Sequence, residues 1–280
     1  MAVTYEIHNA DVLRSVRTCE GLLTTAQENA FVEDGFVVLD EGLNANDLKA
    51  LGDAADALAA AKFPGADDKT YQTEFAGRYL RDPHRQDLSF LTLPLLDYRI
   101  ADTVRSLIGP RIVLRNTSVR VTRPGSGDGT VWHTDFRPHV SPAPRLGQPP
   151  VVISVLIYLD AADADTGPLY VLPRSHEDPR QPEPTDTDLP GQRVLTLRPG
   201  QIVLMNSALW HRGGSNASPD RTRRLLTLQL SSIYLQPFNF ESTLPSVDYQ
   251  RFVERAIRGK DEPVLELLNL GGVNPVSARY

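Results

Sequence analysis

Cysteine is almost missing from this sequence, which has Cys19 alone among its 280 residues. A lone thiol cannot form an intramolecular disulfide, and zinc sites built from thiolates need more than one of them. We therefore expect a protein of a reducing compartment, the cytoplasm, without a thiolate metal site.

An excess of positive charge is missing too, because 29 Lys and Arg against 35 Asp and Glu give a formal net charge of −6. Nucleic-acid-binding proteins usually carry a basic patch or stripe, so we expect no nucleic-acid partner. The sequence also lacks an apolar run long enough to cross a bilayer, and a basic region followed by an apolar one near residue 1. We expect no membrane association, and the sequence does not indicate an oligomeric state.

What is present is the composition of an ordinary globular protein, with 41% hydrophobic and 23% charged residues. A chain of this length without a linker predicts one domain over residues 1–280. Up to about residue 110 the patterns are helical. The predicted helices are one opened by a capping box at Thr25–Glu28 and ended by Gly35, one with an apolar stripe from Asn44 to Leu58, and one from Leu95 to Ile108.

From residue 111 to about 235 the pattern changes to short strands separated by turn residues. The predicted strands here are Ile112–Thr122, Thr130–Phe136, Val151–Leu159, Leu169–Leu172, Arg193–Leu197, Gln201–Met205 and Arg221–Leu235, and Phe36–Leu39 is an earlier one. Helices followed by strands predict an α+β chain whose second half is a sandwich or jelly roll. Residues 236–280 would then be a C-terminal extension.

One short run carries a candidate metal site. Val131–Phe136 is predicted to be extended, and side chains alternate faces on a strand, so His133 and Asp135 would project to one side. Non-haem iron(II) oxygenases use two imidazoles and one carboxylate on one face of the ion, which leaves positions for oxygen and a co-substrate. The run supplies two of these three ligands. A hydrogen-bonded histidine at a strand end is the alternative for His133.

The third ligand has to come from elsewhere in the chain. His176 begins a second His-x-acid pattern, but Pro173 and Pro179 flank it and favour a turn, so we interpret His176 as a structural or surface residue. His211, which follows Trp210 just before a glycine pair, is the predicted second imidazole. A packed histidine is the alternative for His211.

An arginine on a late strand is the candidate co-substrate residue. Arg223 shares one strand face with polar side chains, whereas Arg224 lies on the opposite, leucine-rich face. A guanidinium fixed on a strand suits a bidentate grip on a carboxylate. Arg221 shares the face of Arg223 but lies nearer the preceding loop, and a solvated basic cluster is the alternative for all three arginines.

These residues resemble the phytanoyl-CoA dioxygenase family of iron(II)- and 2-oxoglutarate-dependent oxygenases. The resemblance covers about residues 25–235 and rests on four segments in the family's order. They are Phe31–Leu39, Trp132–Asp135, Thr166–His176 and Pro199–His211. The chain departs from the family at Arg174 and Arg212, where the family usually has glycine. One extra residue before Arg223 leaves Arg221 and Arg224 open as far as spacing is concerned.

The resemblance implies a double-stranded β-helix, a jelly-roll or cupin-like barrel, with N-terminal helices packed on it. It implies that His133, Asp135 and His211 bind iron(II) and that Arg223 binds the distal carboxylate of 2-oxoglutarate, with Arg221 as a further candidate. Iron(II), 2-oxoglutarate and O2 would then hydroxylate an unactivated C–H bond of a specialised metabolite, an amino acid or a small acid. The carboxylate ligand favours hydroxylation over halogenation.

Other outcomes stay open at this point. The same cofactors serve desaturation, cyclisation and epimerisation, and a cupin-like barrel also serves metal-binding or sensing proteins that do not turn over. Irregular segments around a barrel usually carry specificity, so we expect the pocket mouth at 71–90, 137–150, 180–192 and the residues after Tyr234. Arginines recur there, namely Arg78, Arg81, Arg137 and Arg145. A substrate carboxylate is therefore one open alternative.

Overall fold

The structure, a computed structural model, describes residues 2–8, 14–40, 42–62, 79–127, 129–136, 152–178, 180–233, 235 and 244–270. Its strands are β1 (Ala2–His8), β2 (Arg14–Glu20), β3 (Phe36–Leu39), β4 (Tyr79–Arg81), β5 (Ile112–Thr122), β6 (Val152–Tyr158), β7 (Leu169–Val171), β8 (Arg193–Leu195), β9 (Ile202–Asn206), β10 (His211–Gly213) and β11 (Arg223–Ser232). Its helices are α1 (Thr25–Asp34), α2 (Ala45–Lys62), α3 (Ser89–Thr92), α4 (Ile100–Ile108), α5 (Val247–Gly259) and α6 (Glu262–Leu267).

Two antiparallel sheets form the barrel. The larger has six strands in the order β3-β9-β6-β11-β5-β4, and the smaller has three in the order β10-β7-β8. Side chains of the large sheet such as Leu156 and Met205 pack with Leu169 and Val171 of the small sheet, so the two sheets face each other. This arrangement confirms the predicted α+β jelly roll.

The other face of the large sheet packs on the helices. Alternation along β11 sends Leu226, Leu228 and Leu230 to this side, where they join Phe31 of α1 and Leu51 of α2 in one buried cluster. The apolar stripe predicted for the second helix is thus core packing. The inner face of the large sheet is left to line the barrel.

Two helix predictions need correction. The capping box of α1 lies one residue earlier than predicted, because Thr24 is the N-cap and Gln27 completes the box. The helix predicted from Leu95 to Ile108 is broken: a π-helical turn, Leu93–Asp97, follows α3, and α4 starts only after Arg99, whose φ of 54° is left-handed. A left-handed residue cannot continue a right-handed helix, so the chain turns there.

Elements at both ends of the chain had no clear sequence signal. β1 and β2 pair as an antiparallel hairpin, Ala2 opposite Glu20, in a stretch without recognisable pattern. The C-terminal extension contains α5 and α6, which begin at the side-chain caps Ser246 and Asp261. Among the described residues, none of the helices combines the length and the apolar character needed to cross a membrane.

One buried carboxylate joins α6 to the start of β5. Glu266, whose side chain is 1% exposed, lies 3.4 Å from Nε of Arg111 and 3.7 Å from Nη2 of Arg105, and it accepts a hydrogen bond from the backbone N–H of Ile112. Removing one partner of a buried ion pair is strongly destabilising, because the charge left behind is poorly solvated.

We expect Glu266→Ala to lower the free energy of unfolding by about 3 kcal/mol or more. Urea unfolding followed by circular dichroism measures the loss. Glu262→Ala, in the exposed first turn of the same helix, is the matched control, and we expect it to lose less than about 1 kcal/mol. Equal losses in the two variants would contradict a specific role for Glu266.

Candidate metal centre

The segment that carries the first two candidate ligands is not a regular strand, contrary to our prediction for Thr130–Phe136. It makes a single bridge with β10, in which His133 and His211 exchange both backbone hydrogen bonds at 3.0 Å. The segment is held further along by Phe136, whose N–H donates to the carbonyl of Ser207. Local pairing with one edge strand therefore positions the ligands.

The bridge brings the three predicted ligands together. Nε2 of His133 lies 3.9 Å from Oδ1 of Asp135, and Nε2 of His211 lies 3.5 Å from the same oxygen. One ligand atom from each residue can be chosen so that all three lie within 4.8 Å of one another. Among the residues that the structure describes, this is the one His, Cys, Asp and Glu cluster of that kind.

Both imidazoles present their Nε2 atoms to the centre. Nδ1 of His133 lies 2.8 Å from the carbonyl oxygen of Val131, and Nδ1 of His211 lies 3.0 Å from that of Leu209. A carbonyl can only accept, so each Nδ1 carries the hydrogen and each Nε2 keeps a lone pair for a ligand. Metal-binding histidines usually donate their other N–H in this way. The donor set therefore fits a divalent ion that takes two imidazoles and a carboxylate.

Two serines orient the carboxylate. Ser154, on β6, donates to Oδ2 of Asp135 at 2.6 Å, and its Oγ lies 2.7 Å from Oγ of Ser207. Because Ser154 has only one hydrogen to give, Ser207 must be the donor to Ser154. Oδ1 of Asp135 is thereby left facing the two imidazoles. No sequence pattern indicates this role, because Ser154 lies inside the apolar run of β6.

The three groups also adjust one another's charge state. Burial, helped by the nearby His211, lowers the pKa of His133 to about 4. Burial alone would raise the pKa of Asp135, but the two imidazoles and the Ser154 hydroxyl hold it well below its ordinary value. Burial lowers and Asp135 raises the pKa of His211, and the net change is upward. Asp135 is therefore a carboxylate at neutral pH, as metal binding requires.

The loop 180–192 covers the outside of the ligand segment. Trp132 donates its backbone N–H to the carbonyl of Thr185 and its Nε1–H to that of Thr187, both at 2.8 Å. Arg212 follows His211, stacks 3.6 Å from the ring centroid of Tyr170 and pairs with Asp188 at 2.6 Å. The residue next to each candidate ligand histidine, Trp132 or Arg212, is therefore held by contacts outside the barrel.

His176 is not part of this cluster. Its Nε2 lies 3.3 Å from the carbonyl oxygen of Val32, so it connects a 3-10 turn to α1, in agreement with the structural role we expected. The neighbouring Ser175 contributes to the site instead, since its Oγ accepts a hydrogen bond from the backbone N–H of Trp210 at 2.8 Å. The turn therefore supports the strand that carries His211.

The three candidate arginines have different surroundings. Arg223 is 3% exposed and donates to the backbone carbonyls of Gly167 and Gly214 and to Oγ1 of Thr122. Gly167 has a φ of 94°, and a Cβ there would collide with the Arg223 guanidinium, which explains a glycine at this position.

The other two arginines point away from the barrel interior. Arg224 pairs with Asp160 and Asp56. Arg221 lies before β11, not within it as predicted, and its half-exposed guanidinium pairs with Asp163 and Asp165. Arg223 alone of the three is buried within the barrel.

Two buried arginines of β5 were not singled out from the sequence. Arg115 is 5% exposed, and its guanidinium lies 4.9 Å from the ring centroid of Phe136. Arg120 is 6% exposed and lies 5.7 Å from the ring centroid of Tyr79. The sequence pattern that could have identified them is an arginine within a run of residues that is otherwise typical of a buried strand.

Part of the expected pocket mouth can be located. Residues 79–90 contribute β4 and a 3-10 turn, and 180–192 form the covering loop. Of the residues after Tyr234, 235 and 244–270 are described and include α5 and α6. The remaining expected parts lie outside the described residues, namely 71–78, 137–150, 236–243 and 271–280, with Arg78, Arg137 and Arg145 among them.

Comparisons with known proteins agree with this geometry. The model of the family described as phytanoyl-CoA dioxygenase (PhyH) matches residues 31–225. Ectoine dioxygenase of Sphingopyxis alaskensis is 26% identical, over 91% of this chain and 92% of that protein. HygX of Streptomyces hygroscopicus, solved with nickel and 2-oxoglutarate, superposes with a TM-score of 0.63 at 18% identity, over 78% of this chain and 90% of that one. SnoK, described as an alpha-ketoglutarate-dependent carbocyclase from nogalamycin biosynthesis, gives 0.61 at 19% identity, over 80% and 90%.

We expect Ser154→Ala to weaken iron(II) binding about 10-fold or more, because residues that orient a metal ligand typically contribute 10- to 100-fold to affinity. Anaerobic iron(II) titration can be followed by intrinsic fluorescence, since Trp132 and Trp210, the only tryptophans, each precede a ligand histidine. Ser231→Ala, another buried strand serine, is the control and should bind as the unmodified protein does. Unchanged affinity in Ser154→Ala would show that Ser154 does not orient Asp135.

Proposed function

This chain belongs to the phytanoyl-CoA dioxygenase family of iron(II)- and 2-oxoglutarate-dependent oxygenases, and we propose that it hydroxylates an unactivated C–H bond of a small organic molecule. The observation that carries the proposal is the cluster of His133, Asp135 and His211 at the mouth of a barrel whose interior holds a buried arginine. As further proposals we keep one oxygenase domain over residues 1–280 and a cytoplasmic location.

In this proposal His133 and His211 hold iron(II) through Nε2, and Asp135 holds it through Oδ1. Iron(II), once bound, supplies the oxygen chemistry that couples oxidation of 2-oxoglutarate to hydroxylation of the substrate. The chain itself orients the ligands. The backbone carbonyls of Val131 and Leu209 fix the imidazole tautomers, and Ser154 fixes the carboxylate.

Arg223 is the proposed partner of the distal carboxylate of 2-oxoglutarate. It lies on the inner face of β11 at 3% exposure, where water competes little for a bound carboxylate. Its hydrogen bonds to Gly167, Gly214 and Thr122 fix the planar group before the co-substrate arrives. A preorganised guanidinium suits bidentate recognition better than a lysine would.

A second outcome, ring closure in place of hydroxylation, is favoured by one observation. The carbocyclase SnoK shares this fold and is described as alpha-ketoglutarate-dependent. The two outcomes use the same cofactors and differ in how the substrate lies at the metal. Product mass separates them, since hydroxylation adds one oxygen atom and ring closure removes two hydrogens.

Replacing His133, Asp135 or His211 by Ala should abolish 2-oxoglutarate turnover and leave the fold intact, because the barrel core does not depend on a metal as a zinc finger does. Succinate release and the thermal unfolding midpoint are the two measurements. His176→Ala is the matched control, and we expect it to retain iron binding, although it loses the contact with Val32. Full activity of Asp135→Ala would refute the ligand assignment.

Arg223→Leu should weaken 2-oxoglutarate binding about 30-fold to several-thousand-fold, because breaking a buried charge pair typically costs 2–5 kcal/mol and each 1.4 kcal/mol is tenfold. Iron(II) affinity should barely change. The measurement is titration of 2-oxoglutarate into the iron-loaded protein under anaerobic conditions.

Arg221→Leu and Arg224→Leu are the neighbouring controls. Both side chains pair with aspartates away from the barrel interior, so we expect 2-oxoglutarate affinity within about twofold of the unmodified protein. Arg223→Lys keeps the charge without the planar fork and should lie between Leu and Arg. The assignment is wrong if Arg223→Leu binds normally while either neighbour loses affinity.

A further inference from the structure

The ligand segment, residues 130–136, lies between two neighbours. On one side is β10, where His133 and His211 form the antiparallel bridge. On the other side is the covering loop, residues 180–192, whose hydrogen bonds reach the ligand segment from outside the barrel. The position of the segment therefore depends on the loop as well as on the strand.

Three hydrogen bonds join the covering loop to the ligand segment. The backbone N–H and the indole N–H of Trp132 donate to the carbonyls of Thr185 and Thr187, both at 2.8 Å. The hydroxyl of Thr134 donates to Oε1 of Gln181 at 2.9 Å. The loop thus holds the residue before and the residue after the first candidate histidine.

Arg212 connects the same loop to the second candidate histidine. Its Nη2 lies 2.6 Å from Oδ1 of Asp188, and its guanidinium carbon lies 3.6 Å from the ring centroid of Tyr170 and 5.5 Å from that of Trp132. The side chain of Arg212 is 9% exposed, whereas that of Asp188 is 75% exposed. Because an exposed ion pair contributes little by itself, stacking on the two rings supplies most of the contact.

The stack outside the barrel and the imidazole pair inside it share the same two pieces of backbone. Arg212 follows His211 on β10, and neighbouring side chains of a strand point to opposite faces. His211 therefore points to the candidate metal centre while Arg212 points to the loop. Trp132, which precedes His133, meets Arg212 in the stack. A shift of the stack therefore displaces the backbone that carries both imidazoles.

We propose that Arg212 is a positioning residue of the candidate metal centre, one that couples docking of the covering loop to iron(II) binding. The inference rests on the metal site of the proposed function, because it takes His133, Asp135 and His211 as the iron(II) ligands. Coupling between two binding events is reciprocal. The docked loop strengthens iron(II) binding, and bound iron(II) in turn stabilises the docked loop.

A purely structural role for Arg212 predicts a different result. Loss of the stack would then lower the stability of the protein and leave the iron(II) affinity of the folded protein unchanged. Two measurements, iron(II) affinity and accessibility of the loop, separate the two roles without any turnover.

The first measurement is iron(II) affinity. Arg212→Gln should weaken binding about 10-fold or more, because residues that orient a metal ligand typically contribute 10- to 100-fold. Arg212→Lys keeps the charge beside Asp188 and loses the planar stack, so its affinity should lie between the two. Because Trp132 contacts Arg212, anaerobic equilibrium dialysis is used in place of fluorescence. The thermal unfolding midpoint of each variant establishes that it is folded during dialysis.

Arg193→Gln is the matched control. Arg193 directly follows the covering loop, and it pairs with Asp34 of α1 at 2.6 Å, the distance also found between Arg212 and Asp188. Since α1 carries none of the candidate ligands, iron(II) affinity should stay within about twofold of the unmodified protein.

The second measurement is trypsin cleavage at the start of the loop. The side chain of Arg180 is 79% exposed, and cleavage of a folded segment follows the population of its open form. Saturating iron(II) should slow cleavage between Arg180 and Gln181 about 10-fold in the unmodified protein and less in Arg212→Gln. Cleavage after Arg258, which is 74% exposed at the end of α5, is the internal control and should not change. Mass spectrometry of the fragments distinguishes the two sites.

Three results would overturn the proposal. They are unchanged iron(II) affinity in folded Arg212→Gln, an equal loss of affinity in Arg193→Gln, and cleavage after Arg180 that iron(II) does not slow. Unmodified protein that binds no iron(II) would refute the metal site and the inference together. Unmodified protein that shows the coupling yet releases no succinate from 2-oxoglutarate would refute the proposed reaction and leave the role of Arg212 supported.

Discussion

The candidate metal centre depends on one antiparallel bridge between two short pieces of chain. His133 and His211 exchange both backbone hydrogen bonds, and residues paired in this way direct their side chains to the same face. The imidazole centroids are consequently 4.2 Å apart. Asp135 follows two residues later and is fixed by Ser154 from the opposite sheet. The site thus joins both sheets of the barrel, although only β10 among its ligand-bearing segments is a strand.

The side chains on the inner face of this bridge are the polar candidate ligands. Apolar packing against the bridge therefore involves residues on its outer side. Trp132 is 1% exposed and hydrogen-bonded to the covering loop, and Arg212 lies between the rings of Tyr170 and Trp132. These contacts immobilise the residue beside each candidate ligand histidine. Glycine, which the family usually has at the position of Arg212, has no side chain that could make these contacts.

The fold was predicted correctly where the local residue preferences and the pattern of buried residues indicate the same element. β5 has the predicted bounds, Ile112–Thr122, and strand alternation correctly separated Arg223 from Arg224. The prediction of a strand at Thr130–Phe136 was wrong, because alternating polar and apolar residues are also compatible with a single β-bridge. The break at Arg99 had no signal, since a left-handed non-glycine residue depends on its tertiary surroundings. Ser154 was missed because its role arises from the contact of β6 with the ligand segment, which composition does not reveal.

The distribution of charge explains how an acidic protein can favour anions. The net charge is −6, yet in the part of the chain that the structure describes the strands β3 to β11 contain arginine and no aspartate or glutamate. Walls of low dielectric strengthen and focus the field of buried charges, whereas charges on the surface are screened by water and salt. Arg223, at 3% exposure on the inner face of β11, is the buried cation that we propose for a carboxylate there. Recognition of a dianionic co-substrate then follows from where the charges lie, and the sign of the whole molecule is a poor guide to its ligands.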